Sequence, residues 1–204
     1  VEPAAGDDDL GQRVLGLGGR AQTLVVTVAE QVDAMRQELR ALPRANFIAE
    51  PQGKNTAPCI GLAVLEILRR DPTGVMIVLP ADHWVKDGKE FQRVLKTAVD
   101  LAVRQDRLVT IGIRPDYPET GYGYIMKGQA IAGRAATFQV KRFTEKPNEA
   151  NAKKLMRQGS LWNSGIFVWK AATLIELLNR YQPEIGARLN AISAAAKGKS
   201  LGNP

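Results

Sequence analysis

The sequence predicts an α/β fold, in which the strands of a largely parallel sheet alternate with helices. The first observation is that apolar runs rich in β-branched residues alternate with longer stretches whose apolar residues recur at helical spacing. The second is that this alternation stops near Ile113, after which three strand candidates follow with little helix between the first two. The second half is therefore expected to add antiparallel or mixed strands beside the parallel sheet.

Each element is assigned from its local pattern. Short apolar segments bounded by turn residues are expected to be strands: Thr23 to Val28, Asn46 to Ala49, Val75 to Pro80, Leu108 to Ile113, Gly121 to Lys127, Thr137 to Thr144 and Gly165 to Trp169. Amphipathic segments are expected to be helices: Ala29 to Leu42, Ala57 to Leu68, Phe91 to Val103, Asn148 to Gln158, Ala171 to Arg180 and Pro183 to Lys197, the last fraying into the residues that follow it. No linker or repeat divides the chain, so residues 1–204 are expected to form one domain.

Composition narrows the classes of function. The chain has 204 residues and a formal net charge of +7, but its basic residues lie in scattered pairs, so a nucleic-acid partner is not expected. Cys59 and His83 are each the single residue of their kind, which excludes an internal disulfide and a Cys- or His-rich metal centre. Without a long apolar run or a secretory signal, no membrane partner is expected and the expected location is the cytoplasm.

The run from Val75 to Trp84 is an apolar strand candidate that ends in Pro80 and then presents Asp82 and His83. Ligands of open α/β sheets bind beyond the carboxyl ends of the strands, where a carboxylate can hold a divalent cation against phosphate oxygens. The alternative is that Asp82 caps the following turn or helix. Both interpretations remain open from this segment alone.

The segment from Glu50 to Pro58 connects a strand candidate to a helix candidate. Gly53, Asn55 and Thr56 are expected on a turn at a helix N-terminus, where backbone amides and polar side chains suit a base edge or a phosphate. The alternative is that Asn55 or Thr56 is only the N-cap, with Pro58 in the first turn. The two interpretations are compatible.

Three further segments carry polar groups in the second half. Glu119 to Tyr124 contains two glycines that suit either close approach of a ligand or a tight turn. Thr144 to Pro147 pairs a carboxylate with an ammonium group, which suits sugar hydroxyls and a phosphate or is only exposed charge. Trp162 to Gly165 brings an amide and a hydroxyl to the start of a strand candidate.

The order and wording of these segments resemble the bacterial mannose-1-phosphate guanylyltransferases (GDP-mannose pyrophosphorylases) of the sugar nucleotidyltransferase superfamily. The resemblance extends from Thr23 to Ile185, and its most specific parts are Asn55-Thr-Ala-Pro and Trp162-Asn-Ser-Gly-Ile-Phe. It implies part of a Rossmann-like, three-layer α/β/α fold with a mixed, mainly parallel sheet. It also implies transfer of GMP from GTP to α-D-mannose 1-phosphate, which gives GDP-mannose and pyrophosphate in polysaccharide biosynthesis.

The resemblance also implies roles for individual residues, with Mg²⁺ as cofactor. Asp82 would bind the metal and, with Lys146, act in catalysis. The residues expected to bind the nucleotide are Glu50, Gly53, Asn55, Thr56 and Asp82, and those expected to bind the sugar and its phosphate are Gly123, Glu145, Lys146 and Asn163. Cys59 is expected to be a small buried residue and not a nucleophile.

Two departures from the family pattern qualify this expectation. The family begins with a strand and a Gly-rich phosphate loop. Here Gly16 to Arg20 precedes a strand candidate and follows a helix-like stretch from Leu10 to Leu17, so it is interpreted as a helix stop and turn. The family also has a second metal carboxylate in a later segment. The chain is therefore expected to be truncated at both ends, weakly active, and prone to form a homodimer through an open sheet edge.

Two alternatives stay open. A glucose-1-phosphate nucleotidyltransferase would share the architecture and differ in base and sugar choice. A non-catalytic module would bind a sugar nucleotide without turning it over.

Overall fold

The computed structural model describes residues 18–53 and 55–202. The chain divides into two compact units, which we call the terminal unit (Val1–Val109 with Val168–Pro204) and the central unit (Thr110–Phe167). The strands are β1 (Val25–Val28), β2 (Phe47–Glu50), β3 (Val75–Val78), β4 (Val109–Ile113), β5 (Tyr124–Ala130), β6 (Phe138–Thr144) and β7 (Leu161–Lys170). The helices are α1 (Val32–Glu38), α2 (Thr56–Arg70), α3 (Gly88–Gln105), α4 (Glu149–Arg157), α5 (Ala171–Tyr181) and α6 (Pro183–Ala196).

The terminal unit contains the parallel pairing that the alternating pattern predicts. Strands β1 and β2 are parallel, with Val25 opposite Phe47, and α1 lies between them in the chain. A parallel pair needs such a crossover connection, because its strands start at the same end of the sheet. Strand β3 pairs with β7. Ala171, the residue directly after β7, donates its N–H to the Gly74 carbonyl, directly before β3, at 2.9 Å.

The core of the terminal unit is built from the apolar faces of these elements. Phe47 and Ile48 of β2 are buried, as are Val64 of α2 and Leu95 of α3. Burying side chains of this size contributes roughly 1.5–3 kcal/mol each relative to leaving them exposed. This packing fixes the positions of β2 and β3, and so the points at which the turns after these strands begin.

A buried carboxylate in α2 binds the C-terminal segment of the described chain. Glu66 is fully buried and accepts hydrogen bonds from Arg69, Arg70, the Ser200 hydroxyl and the Leu201 N–H, at distances of 2.7–3.1 Å. Burial alone would raise the pKa of Glu66, but these donors lower it to about 2. The segment after α6 is therefore anchored to α2 at Ser200 and Leu201, where the sequence predicted fraying.

The same network reaches the start of the described chain. Arg70 donates to the Asn46 side-chain oxygen at 2.9 Å and to the Ala21 carbonyl at 3.0 Å. The Asn46 amide donates in turn to the carbonyls of Arg20 and Ala21, at 2.9 and 3.2 Å. Segments that are far apart in sequence are thus joined by one network of hydrogen bonds.

The central unit contains the antiparallel pairing expected after Ile113. Strand β5 pairs antiparallel with β6 and with β7, and β4 pairs with β7. Its core joins Tyr124 of β5 and Trp162 of β7 to Ala152 and Leu155 of α4. The mixed α/β fold is therefore confirmed, with parallel pairing in β1–β2 and antiparallel pairing around β5.

Most element bounds lie within a few residues of those expected, and two differences are larger. The helix expected from Ala29 to Leu42 is a 3₁₀ turn followed by the short α1. The strand expected from Gly165 begins at Leu161 instead, so Asn163 lies inside β7 and not before it. Gly165 adopts a positive φ of 72° within the strand, so this glycine marks an irregularity in β7 and not its start.

In the part of the chain that the structure describes, no helix is both long enough and apolar enough to cross a membrane. The helix-like stretch from Leu10 to Leu17 lies outside the described residues, and so do Lys54 and the last two residues.

Candidate functional site

The turn after β2 presents polar groups at the start of α2. Glu50 ends β2 and is buried, whereas residues 51–53 are exposed. Asn55 occupies the N-cap position with φ 72°, and its side chain makes no capping hydrogen bond; Thr56 is the first helical residue and Pro58 lies in the first turn. The N-cap interpretation is therefore correct for the position of Asn55 but not for its side chain, whose amide remains available to a ligand.

Cys59 lies on α2 next to Glu50. It is partly exposed, and burial, followed by the charge of Glu50 and a hydrogen bond with it, raises the pKa of the thiol to about 11. The thiolate is the reactive form of cysteine, so very little of it exists at neutral pH. A nucleophilic role for Cys59 is thus disfavoured by its surroundings, although the side chain is less buried than expected.

Asp82 lies in an exposed turn beyond the end of β3. The N-cap of the following helix, α3, is Asp87, whose carboxylate accepts the Glu90 N–H at 2.9 Å. The capping alternative for Asp82 is therefore wrong with respect to this helix. Trp84, two positions along, is 72% exposed, an unusual exposure for so large an apolar side chain.

The described residues contain no cluster of three or more His, Cys, Asp and Glu side chains that could hold a metal ion by themselves. This does not conflict with a role for Asp82, because Mg²⁺ in nucleotide sites is held by one or two carboxylates together with substrate phosphates and water. A hard oxygen donor in an exposed turn fits that pattern.

In the central unit, three of the residues expected to bind a sugar come together: Glu145 and Asn163 both lie against Gly123, which is buried. The Asn163 N–H donates to the Gly123 carbonyl at 2.8 Å. A Cβ atom at Gly123 would lie 2.9 Å from Glu145 Oε2 and 2.7 Å from Phe143 Cζ. A side chain at position 123 would have to displace these two groups, so the glycine lets Glu145 and Phe143 pack directly against the backbone.

The side-chain oxygen of Asn163 is already used within the central unit. It accepts the Thr110 hydroxyl at 3.1 Å and the Gly165 N–H at 3.4 Å. A backbone N–H can only donate, so the amide must turn its oxygen towards Gly165 and its nitrogen away. Asn163 therefore has donors, and no free acceptor, to offer to a ligand.

Glu145 and Lys146 form a loose pair after β6. The Lys146 ammonium lies 4.0 Å from Glu145 Oε1. The Lys146 side chain is 66% exposed and the Glu145 side chain 61% exposed. Lys146 adopts a positive φ of 39°. An exposed pair at this distance contributes little to stability, so both groups are free to move towards a charged ligand.

Two residues that organise this region were not assigned a role from the sequence. Glu119 accepts the Gly121 N–H at 2.7 Å, and its own carbonyl accepts the Tyr124 hydroxyl at 2.8 Å, which fixes the loop before Gly123. Backbone hydrogen bonds lower the pKa of Glu119, which keeps it an acceptor. The second residue is Thr110, which contacts Asn163 across a sequence separation of 53 residues. A contact between such distant residues produces no local pattern in the sequence from which it could be predicted.

The segment from Gly16 to Arg20 lies only partly within the described residues. From Gly18 the chain passes into a 3₁₀ turn, Arg20–Gln22, and then into β1. A phosphate loop instead follows a strand and opens a helix. The described part of the segment has the turn that the sequence predicted.

Comparison with known proteins shows the family to which the chain belongs. A nucleotidyl transferase family model matches residues 12–200. Mannose-1-phosphate guanylyltransferase of Escherichia coli strain K12 is 42% identical over 156 residues, which cover 73% of this chain and 32% of that protein. The xanthan biosynthesis protein XanB of Xanthomonas campestris pv. campestris strain B100 is 44% identical over 150 residues, covering 73% and 31% of the two chains.

A solved structure, described as mannose-1-phosphate geranyltransferase from Thermus thermophilus, has a TM-score of 0.82 and 32% identity. The match covers 93% of this chain and 54% of that one. The chain thus spans about a third of the length of the first two relatives and about half of the solved one. Because the family model matches almost the whole chain, this protein belongs to the nucleotidyl transferase family.

Proposed function

We propose that this chain carries the nucleotide- and sugar-binding elements of a mannose-1-phosphate guanylyltransferase. In this reaction a phosphate oxygen of α-D-mannose 1-phosphate attacks the α-phosphorus of GTP; the new P–O bond forms GDP-mannose, and pyrophosphate leaves. The observation that carries the proposal is the grouping of Gly123, Glu145 and Asn163 in a family whose similar members act on mannose 1-phosphate. Chemistry of this kind needs mainly positioning and charge stabilisation from the protein.

The proposed sugar contacts follow from what each group can donate or accept. A sugar hydroxyl both donates and accepts hydrogen bonds, the Asn163 nitrogen only donates, and the oxygens of the Glu145 carboxylate accept. The exposed Lys146 ammonium is a cation close to that carboxylate and suits the phosphate of the sugar. Gly123 has no side chain, which lets the Glu145 carboxylate lie close to the backbone at this point.

The proposed nucleotide contacts lie in the terminal unit. The free Asn55 amide, the exposed backbone at Gly53 and the Thr56 hydroxyl are neutral polar groups suited to a base and a ribose, with Glu50 at the end of β2 beside them. Nucleotidyltransferases generally use a divalent metal, and Mg²⁺ is the ion we propose, held by the Asp82 carboxylate. When bound, the ion would neutralise negative charge on the phosphates.

Calorimetry with GDP-mannose, GDP and UDP-glucose, each with and without Mg²⁺, tests the proposal. We expect GDP-mannose to bind more tightly than GDP and UDP-glucose, and Mg²⁺ to strengthen its binding. Asn163→Ala should abolish the preference for GDP-mannose over GDP. The control Asn190→Ala, which removes an exposed amide bonded to Asn179 at 3.1 Å, should keep it.

Other results would change the conclusion in defined ways. A preference for UDP-glucose would favour a glucose-1-phosphate nucleotidyltransferase. GDP-mannose binding without pyrophosphate release from GTP and mannose 1-phosphate would favour a non-catalytic binding module. Absence of binding to any of the three compounds would refute the proposed function.

A further inference from the structure

The side chain of Thr110 lies beneath one of the proposed sugar contacts without being assigned to the site itself. Thr110 is on β4 and its neighbour Asn163 is on β7, two strands that pair with each other. The Thr110 hydroxyl lies 3.1 Å from Asn163 Oδ1 and 3.4 Å from the Ile166 carbonyl. A hydroxyl has one hydrogen to donate, and the shorter distance favours Asn163 as its acceptor.

Together with the Gly165 N–H, which can only donate, this contact decides what Asn163 can offer to a ligand. With the Thr110 hydroxyl and the Gly165 N–H on Oδ1, the carbonyl end of the amide is occupied. Rotation of the amide by half a turn would place its NH₂ group against the Gly165 N–H, so two donors would face each other. The occupied oxygen therefore holds the Nδ2 donors in the one orientation in which they face away from β4.

We propose that Thr110 is a positioning residue, which fixes the Asn163 amide so that it donates to an acceptor oxygen of the sugar. The inference rests on the proposed function and deepens it. It explains why a polar side chain stands at this position of a sheet strand, where an apolar β-branched residue would fill the same space. Without the hydroxyl, Asn163 Oδ1 keeps only the longer contact to Gly165, and the amide is less well ordered before the ligand arrives.

The test compares Thr110→Val, which removes the hydroxyl at nearly constant volume, with Thr110→Ser, which keeps it. The quantity measured is the ratio of the affinity for GDP-mannose to the affinity for GDP, because GDP has no sugar. We expect Thr110→Val to lower this ratio about five- to tenfold, as for one lost hydrogen bond that orients a ligand contact. Thr110→Ser should restore it, and affinity for GDP should stay the same in both variants.

A purely structural role would not produce this pattern, since it would weaken GDP and GDP-mannose binding alike. Thr110→Ala removes the hydroxyl without adding an apolar group, and serves as a second variant if Thr110→Val unfolds. In an Asn163→Ala background, loss of the Thr110 hydroxyl should have no further effect on the ratio, because the group that it orients is gone.

The outcomes separate the inference from the function on which it rests. If the wild-type chain prefers GDP-mannose to GDP and Thr110→Val keeps that preference, the inference is overturned and the proposed function stands. If Thr110→Val lowers the ratio equally with and without Asn163, the hydroxyl acts through another group and the inference is overturned. If the wild-type chain binds neither compound, both fail.

Discussion

Two carboxylates of this chain, Glu66 in the terminal unit and Glu145 in the central unit, have opposite surroundings. Glu66 is fully buried, and two arginines, a hydroxyl and a backbone N–H donate to it. Glu145 is 61% exposed, and its ion pair with Lys146 is 4.0 Å long. A carboxylate whose acceptor sites are filled by its own chain can only stabilise that chain, whereas one with open acceptor sites can bind something else.

The sharpest way to test this difference is Glu66→Gln, which removes a buried charge that two arginines contact. We expect the free energy of unfolding to fall by about 3–5 kcal/mol, as when one partner of a buried ion pair is lost. Urea denaturation measures the change. The control is Glu90→Gln: Glu90 pairs with Arg93 through two bonds of 2.6 and 2.7 Å, close to the Arg69–Glu66 geometry, but on the surface.

That control should change stability far less than Glu66→Gln, because solvent screens an exposed pair and its side chains lose entropy when they are held together. If Glu66→Gln and Glu90→Gln lowered the free energy of unfolding equally, burial would not distinguish the two ion pairs. The contrast drawn between buried and exposed carboxylates would then be wrong.

The acid dependence of stability is the second expected difference. The folded-state pKa of Glu66 is about 2, below its ordinary value of 4.5, so the stabilisation from Glu66 is fully present above about pH 5. As the pH falls towards 2, Glu66 becomes protonated in the unfolded chain while it stays ionised in the folded chain. The free energy of unfolding therefore decreases by about 3 kcal/mol. Denaturation curves at several pH values should show wild type and Glu66→Gln converging in stability as pH falls; a constant difference would contradict the assigned pKa.

Gly123→Ala should have a smaller effect on stability and a larger one on ligand preference. The new Cβ would meet Phe143 and Glu145, whose side chains are partly exposed and can shift, so we expect a loss of about 1 kcal/mol. The displaced Glu145 carboxylate should also reduce the preference for GDP-mannose over GDP. Thermal unfolding and calorimetry measure the two effects, and an unchanged preference would remove Gly123 from the proposed sugar site.

Asp82→Asn should have the smallest effect on stability. Asp82 is exposed in a turn and does not cap α3, so we expect the free energy of unfolding to stay within about 0.5 kcal/mol of wild type. The strengthening of GDP-mannose binding by Mg²⁺ should nevertheless be lost. Asp33→Asn, at a side chain that is 90% exposed on α1, is the matched control and should keep the response to Mg²⁺.

The sequence predicted the positions of most elements because hydrophobic periodicity is a local property, as in α2 and α3. It missed the early start of β7, because the rule that glycine bounds a strand fails where Gly165 adopts a positive φ inside one. The binding roles assigned to Gly123, Glu145 and Asn163 remain predictions, although the structure brings these residues together.

Contacts between distant positions explain what the sequence could not predict. The anchoring of Ser200 and Leu201 by Glu66 spans more than 130 residues, so the C-terminal segment looked ready to fray. The support that Thr110 gives to Asn163 is hidden for the same reason. Local sequence patterns indicate which polar groups are present. The fold decides which of these groups already have hydrogen-bond partners and which can contact a ligand.

The distribution of the three tryptophans gives this chain a built-in optical readout. Trp84 is 72% exposed beside the turn that carries Asp82, whereas Trp162 and Trp169 are each 8% exposed. A water-soluble collisional quencher such as iodide should therefore reach Trp84 and spare the other two while the chain is folded. Emission from the accessible indole would then follow events at that turn, and emission from the shielded pair would follow unfolding, in a single unlabelled sample.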